Sequence, residues 1–592
     1  MLEKLVSEGK LPTLEERLPR NPAVVEPVNE PGRYGGVWRR HTIGADRAGM
    51  SRLIYDPAMR WSADGTEIKP NLCWKYEVSD DYRIFTFFLR EGVRWSDGHP
   101  MTSEDVRFWW EDFILNPELN PLVPTWMQIQ GKAPKLEIPG LYRFRLVFPH
   151  PYGLFLERAA WQGEMWMPRH HLEQFHEKYT SQAELAAKVE DAGFQTWYEL
   201  FLDKARWWSN HELPMVTAWV IKHDWNRQHK VFERNPYYWK VDTHGRQLPY
   251  IDRVTHETFQ NRETLVLNFV GGDILVQMRY VMPNDLPLFE APIRDGKMEV
   301  YNWIATGGQA LGVQLNQSYT GGDDFAREIL REKKFRWALS HAFNREEISE
   351  LFHFGRGTPR QPGPIEQSPY FKHGRRYVHT ALEYDLPKAN RLLDELGLTR
   401  RGPHGFRLRP DGKPIALTID HSPTYETSQK AEYFNQQCLA PLGIQGILKP
   451  FTGQRGYAGL AMILVGGSGG RMQELISPSV VPTFRHLYWA TQYGLWYESN
   501  GRQGWKPPKD IARMQEIYDR IKACPDKQQR YAMMGEIWDL HAENLWTIGS
   551  LGELPQVVLV HRRAGNVPRT VVADWVFKTP GNAHPEQFYC KW

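Results

Sequence analysis

The chain has 592 residues, of which 41% are hydrophobic and 24% charged, a globular composition spread over more length than one hydrophobic core of about 250–300 residues can use. Its 73 Lys and Arg nearly cancel its 70 Asp and Glu, leaving +3 with no basic block, which argues against a dedicated nucleic-acid binder; the aromatic content argues against disorder. The longest apolar run, residues 460–465, falls far short of the roughly 20 residues that cross a bilayer, so a soluble protein of two or three lobes is expected.

Residues 1–20 are charged and lack the apolar core of roughly 7–15 residues that a secretory signal needs, so any leader is expected to be absent from this chain. Pro12, Pro19, Pro22, Pro27 and Pro31 break up a polar lead-in. Gly35-Gly36-Val37-Trp38 opens a strand, and Ile84–Leu89 (IFTFFL) reads as a buried one. In residues 141–149 (LYRFRLVFP), Tyr142, Phe144, Leu146 and Phe148 share one face, with Arg143 and Arg145 on the other. His170, His171 and His176 have no HExxH spacing and follow a helix-starting Pro168; they read as surface histidines, and no metal is expected there. Residues 385–397 (DLPKANRLLDELG) spell a helix, with Asp385 as its cap, Pro387 in the first turn and Gly397 as its stop; Ala389, Leu392, Leu393 and Leu396 form its apolar stripe. The apolar run 460–465 enters a Gly-rich stretch, 466–470. That stretch lacks the Lys-Ser/Thr ending of a phosphate loop, so its small residues suit close approach of a ligand or another backbone. Ile511, Met514, Tyr518 and Ile521, then Tyr531, Met534, Ile537 and His541, mark two antiparallel helices separated at Pro525. Strands early and helices late give a mixed α/β chain.

Enzyme signatures are missing. Cys73, Cys438, Cys524 and Cys590 stand too far apart for a structural zinc site, and no GxSxG elbow occurs. Asp80-Asp81, Glu111-Asp112 and Asp323-Asp324 are sequence neighbours, which strands and helices point apart rather than pair for acid–base work. The outlier is Trp, with 24 residues; indoles in such number fill cores and also offer flat faces for stacking.

Residues 72–106 (LCWKYEVSDDYRIFTFFLREGVRWSDGHPMTSEDV) carry a Trp-containing strand, Ser-Asp-Asp, an aromatic strand, Leu-Arg-x-Gly-Val-x-Trp-Ser-Asp-Gly and Thr-x-Glu-Asp-Val. This order closely resembles family 5 extracellular solute-binding proteins, the receptors of ABC importers for oligopeptides, dipeptides, nickel and some oligosaccharides. Physically the segment is scaffold: Gly98 is free to take positive φ, and Thr102 or Ser103 caps a helix opening with Glu104-Asp105. Residues 232–239 (FERNPYYW), 248–254 (LPYIDRV), 334–348 (KFRWALSHAFNREEI) and 384–398 resemble further family elements in the same order. The resemblance implies a two-lobed type II periplasmic-binding-protein fold with an extra subdomain and a hinge between lobes. It further implies a lead-in at 1–31, lobe I from 32–56, 210–305 and 546–592, the extra subdomain at 57–209 and lobe II at 306–545. Ligand is then held between lobes without covalent chemistry, cofactor or metal, and the closed form is read by the permease subunits. A monomer outside the cytoplasm, periplasmic or extracellular and either lipid-anchored or free, follows from the same resemblance.

Peptide-binding members of that family hold the ligand ammonium with an Asp near an aromatic-rich stretch of lobe II. The comparable residues here, 484–501 (FRHLYWATQYGLWYESNG), contain no Asp, and Glu498 is their only carboxylate. Burying an ammonium without a partner costs several kcal/mol, roughly. The stretch instead interleaves Tyr488, Trp489, Tyr493, Trp496 and Tyr497 with Gln492 and Asn500, a pattern suited to pyranose rings and their hydroxyls. Trp61, Trp303, Trp505, Arg471 and Asn316, which ends the strand-like GVQLN, complete the candidate ligand contacts. The expectation is an oligosaccharide receptor. The alternatives are an oligopeptide receptor of the same fold, a nickel or haem carrier, and a carbohydrate-active enzyme, which would need two carboxylates about 5–10 Å apart.

Overall fold

A computed structural model of the chain describes residues 2–44, 46–272, 274–306, 311–422, 425–466, 471–476 and 479–591. They form two compact units: unit 1 is Met1–Gln128, Lys132–Ile304 and Pro555–Trp592, and unit 2 is Ile129–Gly131 and Ala305–Leu554. Helices and sheets occur in both, a mixed α/β architecture.

In unit 1 the strand Val37–Ile43 runs parallel to Arg253–Phe259; His229–Arg234 and then Trp219–Ile221 extend the sheet antiparallel. Its core is indole-rich because each buried N–H finds a carbonyl. Trp38 Nε1 donates to Val276 O (3.0 Å) and Trp219 Nε1 to Ile251 O (3.0 Å), and the two rings meet edge-on at 6.2 Å. The Val276 bond reaches a second sheet, ordered Val276–Gln277, Gln556–His561, Met298–Ala305 and Val572–Ala573, which brings the C-terminal segment into this unit.

The antiparallel sheet Cys73–Val78, Ile84–Leu89, Arg143–Val147, Lys135–Gly140 carries the alternation read from the sequence: Phe144, Leu146 and Phe148 are buried and Arg143 is exposed. Phe85, Phe144, Phe148 and Phe155 lie inside it. Gly98 takes φ +91°, where a side chain would be strained. Thr102 closes a capping box, its Oγ1 accepting from Glu104 N (3.2 Å) while Asp105 accepts from Thr102 N (2.8 Å). The helix continues as a π-helical turn, Phe108–Ile114, which turns both Trp109 and Trp110 inward. One expectation here is corrected. His170 and His171 are half-buried, but His176 is buried: its ring packs against Trp197 (4.9 Å) and Phe201 (5.5 Å), and Nε2 bonds the Asp112 carbonyl (3.0 Å). The aromatic shell available to it outweighs the polar imidazole once that one bond is made.

Unit 2 is built on a five-stranded sheet, Gln445–Pro450, Ala416–His421, Ile463–Val465, Gly312–Leu315, Thr547–Gly549. The first three are parallel and the last two antiparallel to their neighbours. Helix Leu386–Asp394 is capped by the Asp385 carboxylate on Lys388 N (2.8 Å), buries Ala389 and Leu393, and is followed by Gly397 at φ +78°. Lys509–Ala523 and Lys527–Asn544 are the two long helices with apolar stripes. The apolar run ends in strand Ile463–Val465 and Gly466; residues 467–470 of the Gly-rich stretch lie outside the described residues. All four cysteines are free thiols.

Candidate functional site

The aromatic-rich stretch of unit 2 forms a 3-10 turn, Tyr488–Ala490, leading into helix Thr491–Glu498. Gly494 lets that helix lie on the preceding chain, since a Cβ there would sit 2.2 Å from Phe484 O. Two bonds hold the turn to the end of strand Gly312–Leu315: Gln317 N donates to Trp489 O (2.7 Å) and Gln492 N to Ser318 Oγ (3.0 Å). Asn316 locks the same corner. Its amide donates to Gly459 O (3.0 Å) and Ala461 O (2.7 Å) and accepts from Ser318 N (2.9 Å), so its hydrogen bonds are spent on backbone.

A spacing of four residues sorts the stretch into two faces. Trp489 and Tyr493 turn inward. Trp489 stacks on Trp546 (5.4 Å, 18°) and donates Nε1 to Ser479 O (3.3 Å); Tyr493 accepts from Arg331 Nη2 (2.8 Å) and donates to Gln317 O (3.1 Å). Gln492 and Trp496 are half-buried on the other face, and Asn500, exposed at φ +53°, continues it past the helix end. The Gln492 side-chain amide has no hydrogen-bond partner among the described residues. Tyr488 is half-buried and stacks on Tyr457 (6.0 Å, 21°), with Phe451 edge-on at 5.0 Å; burial pushes its phenol up. Tyr497 donates its hydroxyl to Asp519 and lies under the Lys522 ammonium (5.1 Å). Trp505, half-buried, donates its backbone N–H to Gln492 O (3.1 Å), and the guanidiniums of Arg327 (5.7 Å) and Arg331 (6.0 Å) stand over its ring.

The remaining sequence-derived candidates are dispersed. Arg471 is half-buried at a turn where its backbone N–H meets the Glu474 carboxylate (3.0 Å). Trp303 and Trp61 belong to unit 1 and are fully buried: Trp303 Nε1 donates to Pro568 O (2.9 Å), and Trp61 packs on Phe577 (5.5 Å). Tyr457, Phe451, Arg327 and Arg331 border the stretch without having been read from the sequence. Arg327 and Arg331 stand four apart on helix Asp324–Arg331, a spacing that could have marked them as one face.

The charges of the stretch itself cancel, and the guanidiniums of Arg327 and Arg331 border it at Trp505. Glu498, the stretch's only carboxylate, already faces Arg485 Nε at 3.2 Å. Half-buried rings beside a free amide, with no unpaired acid among the described residues of the stretch, can take a neutral polar ligand with an apolar ring face. Among the described residues no group of three or more His, Cys, Asp or Glu could hold a metal ion.

The family model for "Bacterial extracellular solute-binding proteins, family 5 Middle" matches residues 67–474. The periplasmic alpha-galactoside-binding protein of Rhizobium meliloti (strain 1021) is 26% identical over 612 residues, covering 96% of this chain and 83% of that protein. A solved structure of an oligopeptide-binding protein OppA is 35% identical, with a TM-score of 0.71 over 100% of this chain and 96% of the other. The periplasmic binding protein MelB from Agrobacterium fabrum C58, solved in complex with stachyose, is 23% identical with a TM-score of 0.78, covering 99% and 90%.

Proposed function

Because the chain belongs to the family 5 bacterial extracellular solute-binding proteins, we propose that it is the extracytoplasmic receptor of an ABC importer, that it captures an oligosaccharide, and that it hands this cargo to the permease without altering it. The observation that carries the sugar reading is the stretch 484–501. Its open face offers Tyr488, Gln492, Trp496 and Asn500, and its one carboxylate is paired with Arg485. A peptide ammonium would arrive there without a counter-charge, whereas a pyranose needs only an apolar face and hydroxyl partners. Similarity to an alpha-galactoside-binding relative over nearly the whole chain supports an α-galactoside as that cargo. Arg327 and Arg331 beside Trp505 belong to the binding face in this reading, which works as a monomer.

The 35% identity to an oligopeptide-binding protein favours a second reading, a peptide cargo. Trp fluorescence separates the two. Titration with stachyose should saturate, while a mixed pentapeptide library should leave the signal unchanged; the reverse pattern would establish the peptide reading. Incubated stachyose should also come back intact. Release of monosaccharide would show an enzyme instead.

A further inference from the structure

Three adjacent strands of the unit 1 sheet place Arg40, His256 and Lys230 in one row: Arg40 stands opposite His256 in the parallel pair, and His256 opposite Lys230 in the antiparallel one. Partners in register share one face of a sheet. All three are buried, with 2%, 1% and 2% of their surface exposed. The row is short of acid. Arg40 donates to Gly49 O (2.8 Å), its Nε has no partner among the described residues, and Asp46, whose charge reaches it, is already bonded by Arg279 and Tyr280. Neither ring nitrogen of His256 is bonded among the described residues; burial, then the charges of Arg40 and Lys230, hold its pKa well below the usual imidazole range. The Lys230 ammonium donates to two neutral acceptors, Arg227 O (2.8 Å) and Thr258 Oγ1, and makes no ion pair among the described residues; burial lowers its pKa with no carboxylate near enough to hold it up.

At its Lys230 end the row meets a cleft of about 770 Å³ whose lining comes wholly from unit 1. Lys230 and Thr258 belong to that lining, and so do three exposed side chains, Asn226, Gln228 and Gln260, whose amides have no hydrogen-bond partner among the described residues. Arg227 adds a second cation, exposed and without an ion pair among the described residues. Two carboxylates also line the cleft. Asp224 meets His211 Nδ1 at 3.0 Å, and neither it nor Asp203 comes within ion-pair reach of Lys230.

We propose that this cleft binds a small organic anion, a carboxylate or phosphate ester of a polar molecule, whose oxyanion accepts from Lys230 and whose body is held by the amides of Gln228 and Gln260. A buried ammonium with only neutral acceptors is costly, and a second buried cation two strands away adds to the same positive field; a ligand oxyanion offsets both through a charge-assisted hydrogen bond. The volume is larger than a bare inorganic ion fills and falls among small-molecule sites, which run from about 300 to 1,000 Å³. The cleft belongs to a different unit from the aromatic stretch 484–501, and the inference stands whether the cargo is a sugar or a peptide.

The test uses the full chain and calorimetric titration with three solutes that share one ring: glucuronate, glucose 6-phosphate and neutral glucose. At least one of the two anions should bind at least about tenfold more tightly than glucose, and which one does so tells a carboxylate from a phosphate ester. Lys230→Met should weaken that binding at least about tenfold, as for a lost hydrogen bond to a charged group, while Trp496→Ala in the unit 2 stretch should leave it unchanged. If Lys230→Met fails to fold, a double variant, Gln228→Ala with Gln260→Ala, decides, since the fold uses neither amide; it should weaken the anion at least about threefold. The site is overturned if neither anion outbinds glucose, if the deciding variant keeps wild-type affinity, or if Trp496→Ala abolishes anion binding. Stachyose and a pentapeptide library, titrated into the same wild type, report on the cargo alone, so that reading can fail without this one.

Discussion

His541 shows how one side chain's surroundings set a pH response. It is fully buried among Trp489, Trp538 and Trp546; its Nε2 donates to Val480 O (2.7 Å), and its Nδ1 has no partner among the described residues. Burial lowers its pKa to about 4. The unfolded chain takes up a proton on this residue below roughly pH 6.5 and the folded one does not until about pH 4, so its contribution to stability is complete above 6.5 and shrinks as pH falls, by up to about 1.4 kcal/mol per unit. His541→Gln keeps a donor for Val480 O and removes the titration. Urea midpoints measured from pH 7 to pH 4.5 should fall less steeply in the variant; parallel curves would contradict the assignment. Also at this scale, the sequence marked Trp489, Tyr493, Trp496 and Tyr497 alike as aromatic, because composition does not say which side of a helix faces the core. The inward face became visible only once Trp546 and Gln317, 57 and 172 positions away from Trp489 along the chain, were brought against it.

Elements with local signals were legible and those made by distant pairing were not. Helix Leu386–Asp394 lies where Asp385, Pro387 and Gly397 bracket it, because cap, first turn and stop act within a few residues of the backbone they serve. Asp385→Ala should therefore lower unfolding stability by about 1 kcal/mol, read as a reduced urea midpoint; an unchanged midpoint would mean that the carboxylate's bond to Lys388 N is replaced at no cost. The strand alternation in 141–149 was equally readable, since Phe144 and Leu146 need only a period of two. The π-helical turn Phe108–Ile114 was not, having no sequence signature beyond its apolar run, and neither was the order of the unit 2 sheet. There, Gly312–Leu315 sits between Ile463–Val465 and Thr547–Gly549, partners more than a hundred residues away. His176 misled for a related reason, as its shell comes from Phe108, Trp197 and Phe201 on other elements.

For the whole molecule, the family was legible because residues 72–106 concentrate its scaffold motifs in one run, and those motifs specify a turn, a cap and a strand pair rather than a ligand. Cargo is a property of side chains gathered from several segments. The unit 2 stretch is one contiguous run and could be read from the sequence. The division of labour in this account is that a rigid fold shared by peptide and sugar receptors presents rings and uncommitted polar groups in place of a free carboxylate. The most direct test is a thermal-shift comparison of two panels on the same protein: α-galactosides with β-linked gluco-, xylo- and manno-oligosaccharides in one, and di- to pentapeptides in the other. A ligand present at about 100 times its Kd stabilises the folded state by roughly 2.7 kcal/mol, a readable shift. The account predicts a rise in melting temperature with α-galactosides and none with peptides. A rise with peptides alone would contradict it.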